Sequence, residues 1–447
     1  CKDVTVDIAD KEVVKQAQRY VGAFGKILLT NYLDFQILDE NGEVAKIAIA
    51  TKSGNLISPI EENFTQFENL VRDYITPSSR TIRSAKKLAE IMASKARLLR
   101  DNSLAAIREN KSSEIYDQYQ AFKEVLIRDM TEEEFADMYA QTLVYGLFVA
   151  RYFDETLSDF SRHEAHDLLP STNPLLKKFF GHVAGTDFDS KIAWMVDSLI
   201  EAYKGTDVKE LMHKEFEKKQ KDPVLHFYET FLTEYDQDLR KARGVYYTPE
   251  PVVSFIVRSV DHILKTKFDL PKGLADTTKV EHERGVQGAD GRTKDGGKKI
   301  KEQIHKVQIL DPAVGTGTFL NEVIHEIHKT FKGQEGRWNG YVENNLLPRL
   351  HGFELMMASY TMAHLKLGVT LKELGYEGMT ERLSVWLTNS LEESVHEVPN
   401  LFMSQWLTQE SNEASKIKSE MPIMVVMGNP PYSVSSANKG EHIKNLI

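Results

Sequence analysis

Apolar residues recur along this chain with two different periods, and the change of period divides it. Near the start, a helix-like run from Val13 to Phe24 is followed by Lys26-Ile-Leu-Leu-Thr-Asn-Tyr-Leu-Asp-Phe35, which is short and β-rich enough to be one strand. Asp39-Glu-Asn-Gly42 then reads as a hairpin turn leading into Val44 to Ile49. Residues 1–55 are therefore expected to be the tail of an α/β domain. From 56 to 240 the pattern lengthens into amphipathic stretches with few glycines and prolines: Ala85 to Leu99, Ser113 to Met130, Glu132 to Phe153, Lys191 to Tyr203 and Pro223 to Leu239. An all-helical domain is expected there. Thr131 followed by three glutamates marks one helix start, because acids in a first turn favour the helix dipole.

From residue 241 to 447 strands and helices alternate. The pattern predicts a helix over Pro251 to Lys267, a strand over Val307 to Leu310 and a helix over Thr318 to Phe331. A strand over Leu350 to Glu354, a helix to Leu367 and strands near Leu383 to Leu387 and Ile423 to Met427 follow. Such alternation predicts an α/β fold with a doubly wound, largely parallel sheet. The stretch from Pro271 to Lys306, rich in Gly, Lys, Asp and Glu, holds too little apolar surface to order itself and reads as a mobile insertion.

Composition changes this picture in three places. With 447 residues, 41% of them apolar, the chain has room for two or three cored domains. Its single cysteine, Cys1, excludes an internal disulfide framework and a cysteine-built zinc site. No run approaches the roughly 20 apolar residues of a membrane helix, so a cytoplasmic protein with no membrane partner is expected. The net charge of -10 argues against a uniformly basic protein that coats DNA, and any nucleic-acid contact must be local. The first residue is not Met, and the last ones follow a key motif without an evident domain ending, so an excerpt of a longer protein is expected.

Three segments carry chemistry. Val307-Gln-Ile-Leu-Asp-Pro-Ala-Val-Gly-Thr-Gly-Thr-Phe319 is an apolar strand ending in Asp311, then a turn with two glycines, then a helix start. Glycine lets backbone approach a ligand closely, and the helix N-terminus offers unpaired N–H groups. The loop has neither the third glycine of a dinucleotide fingerprint nor the Lys-Ser/Thr of a phosphate loop. By spacing alone, a plain strand-to-helix turn explains it equally well. Glu354 closes the next strand, where a carboxylate can accept both hydroxyls of a ribose. Met421-Pro-Ile-Met-Val-Val-Met-Gly-Asn-Pro-Pro-Tyr-Ser433 is a buried-looking strand that stops at Asn429 with two prolines behind it. The Asn429 side-chain oxygen and the Pro430 carbonyl are two acceptors on a stiff backbone beside an aromatic ring. That group suits an exocyclic amine gripped by its two hydrogens.

The order of Gly244-Val-Tyr-Tyr-Thr-Pro249, Asp311 to Phe319, Gly352-Phe-Glu-Leu355, Leu387-Thr-Asn-Ser-Leu391 and Asn429-Pro-Pro-Tyr432 resembles the gamma-class DNA adenine-N6 methyltransferases of restriction-modification systems. The resemblance covers residues 241–447 and implies a Rossmann-like fold that uses S-adenosylmethionine. It implies that Tyr246, Thr248 and Pro249 help seat the methionine end of the cofactor, together with Asp311, Pro312, Ala313, Gly315, Thr316 and Gly317. Glu354 would take the ribose and Asn389 the adenine, a position where many relatives carry Asp. Asn429, Pro430, Pro431 and Tyr432 would form the catalytic clamp on an adenine flipped out of double-stranded DNA, since the target atom is unreachable in a stacked duplex. No metal is implied for this step.

The front of the chain adds context. Lys2-Asp3, the Gln16 to Tyr20 helix and the Ile27 to Phe35 strand are similar to the end of a restriction nuclease domain. Lys2 would be the lysine of its Glu-x-Lys strand, and the acids that would bind Mg²⁺ are not in this sequence. Residues 56–240 resemble the coupler of single-chain type IIG and type ISP enzymes. Arg80, Arg83, Lys86, Lys87, Lys95, Arg97 and Arg100 form a basic run that either touches phosphates or, the more common case, is a solvated helix face. His163, Glu164 and His166 are read as surface residues. Two other functions fit the same motifs: methyl transfer to protein glutamine or RNA, and a cofactor-binding DNA-positioning subunit without turnover of its own. Oligomeric state leaves no mark in the sequence.

Overall fold

The computed structural model describes residues 1–75, 82, 84–156, 159–170, 172–186, 188–216, 223–235, 248–285, 299–378, 382–391 and 402–430. At the N-terminus helix α1 (Lys11–Phe24) packs on a three-stranded antiparallel sheet, β1 (Lys26–Thr30), β2 (Asp34–Asp39) and β3 (Gly42–Ala48). The run from Lys26 to Phe35 is two strands rather than one. The Asn31 side-chain oxygen accepts the N–H groups of Leu33 at 3.0 Å and Asp34 at 2.7 Å, and Tyr32 takes a φ of 72°, so the chain reverses there. The predicted turn before Gly42 is present, with Asp39 facing Gly42 across it. A further hairpin, β4 (Ala50–Ser53) with β5 (Leu56–Pro59), follows.

Helices then run from α2 (Phe64–Ile75) through α3 (Ala85–Glu109), α4 (Glu114–Val125), α5 (Glu132–Phe153), α6 (Arg162–Leu168), α7 (Pro174–Ala184), α8 (Ser190–Lys204), α9 (Val208–Phe216) and α10 (Pro223–Tyr235). Thr131 caps α5 in a full capping box with Glu134, as the sequence predicts. Every residue of α5 from Phe135 to Tyr152 is buried, which makes it the central helix of the bundle. Part of the basic run on α3 is buried or paired, while Lys86 is exposed. Lys95 is buried over the Phe24 ring and donates to Ser198, Arg97 binds the Glu234 and Tyr235 carbonyls, Lys87 pairs with Glu40, and Arg100 pairs with Asp101. Arg80 and Arg83 lie outside the described residues.

Helix α11 (Glu250–Lys267) opens the last region, and the strands β8 (Ile309–Asp311), β9 (Leu350–Glu354), β10 (Val385–Leu387) and β11 (Val425–Val426) form its four-stranded sheet. All pairs are parallel, in the order β10-β9-β8-β11. Helices α12 (Thr318–His328), α13 (Met357–Glu373) and α14 (Phe402–Glu420) accompany them. The expected insertion is in part an ordered hairpin, β6 (Lys279–Gly285) paired with β7 (Lys299–His305). It lacks a core of its own, as its composition implies, and is held instead by its backbone ladder and by the Lys301–Glu281 ion pair at 2.7 Å. One apolar cluster runs from the helical bundle into this sheet, with α5 packed on α13 and α4 on α14. Among the described residues, no helix is long and apolar enough to cross a membrane.

Candidate functional site

Parallel strands place their carboxyl ends on one edge, where Asp311 and Glu354 are the last residues of β8 and β9. Strand β8 ends at the fully buried Asp311. Its Oδ1 accepts the Ala313 N–H at 3.0 Å, while Oδ2 is buried with no hydrogen-bond partner among the described residues. Burial pushes this carboxyl up to about 7, and the nearby Glu354 charge adds to the shift. The chain then turns through Gly315 at φ 56° and Gly317 at φ 85°, left-handed values that favour glycine. Gly317 is the N-cap of α12. A Cβ placed on Gly315 would meet nothing within 4 Å among the described residues.

The loop is pinned to its neighbour. The Val314 N–H donates to the Phe353 carbonyl at 2.9 Å, and a Cβ on Gly352 would come within 2.4 Å of Val314, so only glycine admits that contact. Glu354, at the end of β9, accepts N–H bonds from Gly315 at 2.8 Å, Leu355 at 2.9 Å and Met356 at 2.8 Å. Burial pushes its carboxyl up to about 7 against the pull of those three donors. Beyond β10, the Ser390 hydroxyl donates to the Pro312 carbonyl and brings Asn389 to the same cradle.

Strand β11 adds the last wall. Its successor Met427 donates to the Leu310 carbonyl at 3.0 Å, and Gly428 lies so close to β8 that a Cβ there would be 2.4 Å from Asp311 Oδ1. Asn429 and Pro430 follow, exposed beyond the sheet edge. The glycine turn after β8 and the Asn429-Pro430 segment after β11 therefore meet at one pair, Asp311 and Gly428. Residues 219–275 match the family N-6 DNA Methylase. The resemblance drawn from the five motifs is borne out by that match, which falls just ahead of the glycine loop.

The chain is also similar in fold to solved structures. One is a nuclease-deletion mutant of the Type ISP restriction-modification enzyme LlaGI, in complex with a DNA substrate mimic. It matches with a TM-score of 0.51 at 20% identity, over 84% of this chain and 26% of that one. The cryoEM structure of the DrdV-DNA complex matches with a TM-score of 0.53 at 20% identity, over 96% of this chain and 36% of that one. This chain thus spans only 26% and 36% of the length of those two, and the likeness concerns the fold. No curated protein matches the chain.

The remaining expectations divide. Thr248 and Pro249 sit at the start of α11, where Pro249 is the N-cap and its carbonyl receives Val252 at 2.9 Å, and α11 packs on α12 beside the cradle. Thr316 is buried with its hydroxyl 3.5 Å from that of Thr318. Tyr246, Pro431 and Tyr432 lie outside the described residues. Sequence reading gave no individual role to Gly428, Ser390 or Gly352, although all three lie within the quoted motifs. It also passed over a buried chain across the sheet. His351 Nε2 donates to the Gln308 side-chain oxygen at 2.8 Å, and its Nδ1 accepts from the Ser384 hydroxyl at 2.8 Å, which in turn accepts from Trp386. Burial pushes the imidazole down to about 4, so it is neutral and both partners fix its tautomer. Nothing but sheet register brings these residues together.

Proposed function

We propose that this chain is the catalytic part of a DNA adenine-N6 methyltransferase that uses S-adenosylmethionine, within a bifunctional restriction-modification enzyme. The observation that carries the reading is the contact of Gly428 with Asp311, which sets Asn429 one residue from the cradle. The cradle's residues fit the cofactor. Two buried carboxyls raised to about 7, one with an oxygen that has no partner among the described residues, favour a cationic N–H donor, and no described atom lies within 4 Å of a Cβ built on Gly315. Asp311 and the Ala313 to Gly317 backbone would hold the methionine end with help from Tyr246, Thr248 and Pro249, Glu354 the ribose and Asn389 the adenine. When bound, the cofactor supplies a methyl group on a sulfonium.

The adenine N6 lone pair is delocalised into its ring and is a poor nucleophile until its hydrogens are held. The Asn429 side-chain oxygen and the Pro430 carbonyl accept those two hydrogens, and Tyr432 stacks on the flipped ring. Fixed acceptors need no reorganisation as positive charge develops on the amine, which lowers the barrier together with proximity. Residues 1–55 would close a nuclease domain that takes Mg²⁺, with Lys2 at its edge, and 56–240 would couple it to the methylase. Such an enzyme acts in the cytoplasm.

The test is transfer of labelled methyl from S-adenosylmethionine to double-stranded DNA, RNA and protein in parallel. Transfer to adenine in DNA, lost in Asn429→Ala, is the expected result. Transfer to RNA or protein alone would refute the DNA assignment. Cofactor binding without turnover by the full-length enzyme would refute the catalytic one.

A further inference from the structure

A cavity of about 200 Å³ lies in the helical bundle, between the starts of α4 and α8 and the sides of α5 and α7. A cavity of about 150 Å³ holds benzene, so this one admits a small organic molecule. Ile115, Ile192 and the rings of Tyr139 and Phe188 give it buried apolar walls. Its polar lining is rich in acceptors. Gln118 is only 4% exposed, and its Oε1 is buried with no hydrogen-bond partner among the described residues. A buried acceptor without a donor is unfavourable, so the cavity calls for a donor.

Glu114 and Asp189 add two carboxylates to the lining. Both bear on one phenol: burial first, then these two charges, hold the Tyr139 hydroxyl well above its ordinary range. His182, paired with Glu114 at 3.0 Å, brings at most one positive charge against the two. Two helices begin here, which by itself would favour an anion. Their first N–H groups are already capped, since the Ser113 hydroxyl accepts the Tyr116 N–H at 3.4 Å and Asp189 Oδ1 accepts the Lys191 N–H at 2.8 Å. Lys191 and Arg162 have carboxylates of their own, Glu109 at 2.7 Å and Asp197 at 2.9 Å. The lining therefore keeps a net negative charge. Among the described residues no group of three side chains is arranged to hold a metal ion, so that charge suits an organic cation.

We propose that this cavity binds a small organic cation, a primary ammonium on a short alkyl stem. The ammonium lies between Gln118 Oε1 and the Glu114 and Asp189 carboxylates, three acceptors for its three hydrogens. The stem lies against Ile115, Ile192 and the two rings, where it buries apolar surface beside faces that attract a cation. None of these residues belongs to the glycine turn or to the Asn429 segment, so the site stands apart from the methyl-transfer chemistry.

Titration calorimetry on the full chain at constant ionic strength tests this with n-butylammonium, the neutral n-butanol and the anionic butyrate. n-Butylammonium is expected to saturate one site at about millimolar concentration, n-butanol to bind about tenfold more weakly or worse, and butyrate not to bind. Gln118→Leu and Asp189→Asn should each weaken n-butylammonium by about tenfold. Asn still caps α8, and Leu removes the unpaired acceptor, so the thermal midpoint of the free Gln118→Leu chain stays the same or rises. Glu201→Gln, exposed on α8, is the control and leaves the affinity unchanged. Should Gln118→Leu fail to fold, Asp189→Asn decides alone. The absence of saturable binding, equal binding of n-butanol, or unchanged affinity in the variants overturns the proposal. Nα-Acetyl-lysine amide separates a free ligand from a lysine side chain of another protein: weaker binding than that of n-butylammonium supports the free ligand, and tighter binding overturns it.

Discussion

Gly428→Ala adds one methyl group at the point where the cradle meets the clamp. Its Cβ would sit 2.4 Å from Asp311 Oδ1 and 3.1 Å from Asp311 Cγ, whereas ordinary contact begins at 3.4 Å, so about 1 Å of movement is forced. Asp311 cannot supply it cheaply. It is fully buried on a central strand, and its Oδ1 holds the Ala313 N–H at 3.0 Å. Strand β11 is the softer side, since it is a two-residue edge strand. Displacing it strains the Met427–Leu310 hydrogen bond and carries Asn429 along. Overpacking of this kind costs about 1–3 kcal/mol of stability. A reacting group moved by about 1 Å costs on the order of a hundredfold in rate. The expected result is thus a modest fall in the denaturant midpoint with a far larger fall in methyl transfer. Gly336→Ala is the control, because a Cβ there meets nothing within 4 Å. Methyl transfer by Gly428→Ala within about threefold of the unaltered chain would refute the placement of Asn429 through this contact.

Other expectations follow from the same groups. Asn429→Ala and Tyr432→Ala should abolish methylation while cofactor affinity, measured by calorimetry, stays within about tenfold, because they act on the base and not the cradle. Asp311 and Glu354 titrate near 7 when folded, above their ordinary range, so charging them costs stability as pH rises from about 4 to 7. A cationic ligand needs those charges, so its affinity should climb as pH rises through 7 and then level off, and a flat profile from pH 5 to 8 would refute the electrostatic fit. Lys95 has the opposite sign. Burial lowers its folded pKa to about 8, so the unfolded chain holds the proton longer and stability should rise with pH from about 8 to 10.5. Lys95→Met should remove that rise in thermal unfolding curves.

Strand ends and helix starts were legible because each depends on neighbours in sequence. Thr131 and Glu134 are three residues apart, and the cap they form needs nothing else. The carboxyl-terminal edge of the sheet was legible for the same reason, through Asp311, Glu354 and Asn389 at the ends of three apolar runs. Asn31 was not, since an apolar run on both sides hides a turn whose signal is one side chain bonding its own backbone. Helix α14 was missed because its residues are largely polar and its packing comes from both sides, onto α4 and β10. The buried contacts of Lys95 and Arg97 on α3 were hidden for a similar reason. A lysine over a phenylalanine and an arginine on two carbonyls look like solvated charges until the partners, about 70 and 137 positions away, are in place. Register across the sheet, which makes Ser384, His351 and Gln308 one chain of hydrogen bonds, has no local signal at all.

Helix α14 ties these observations into one mechanical statement. Its buried Glu410 accepts from the Leu387 N–H at 3.2 Å and pairs with Arg382 at 2.5 Å, so it holds the last residue of β10. Two turns further on, Lys418 holds the loop that β10 feeds, and Ser390 of that loop holds Pro312 in the glycine turn. The other side of α14 packs on α4, within the helical bundle. Two side-chain anchors on one helix therefore link the bundle to the Asn389 loop. They do not reach Asn429 by the same route, because β11 is positioned by β8 and by the Asp311–Gly428 contact. The helical region thus has a direct hold on the Asn389 loop, while Asn429 answers to the strand that carries Asp311.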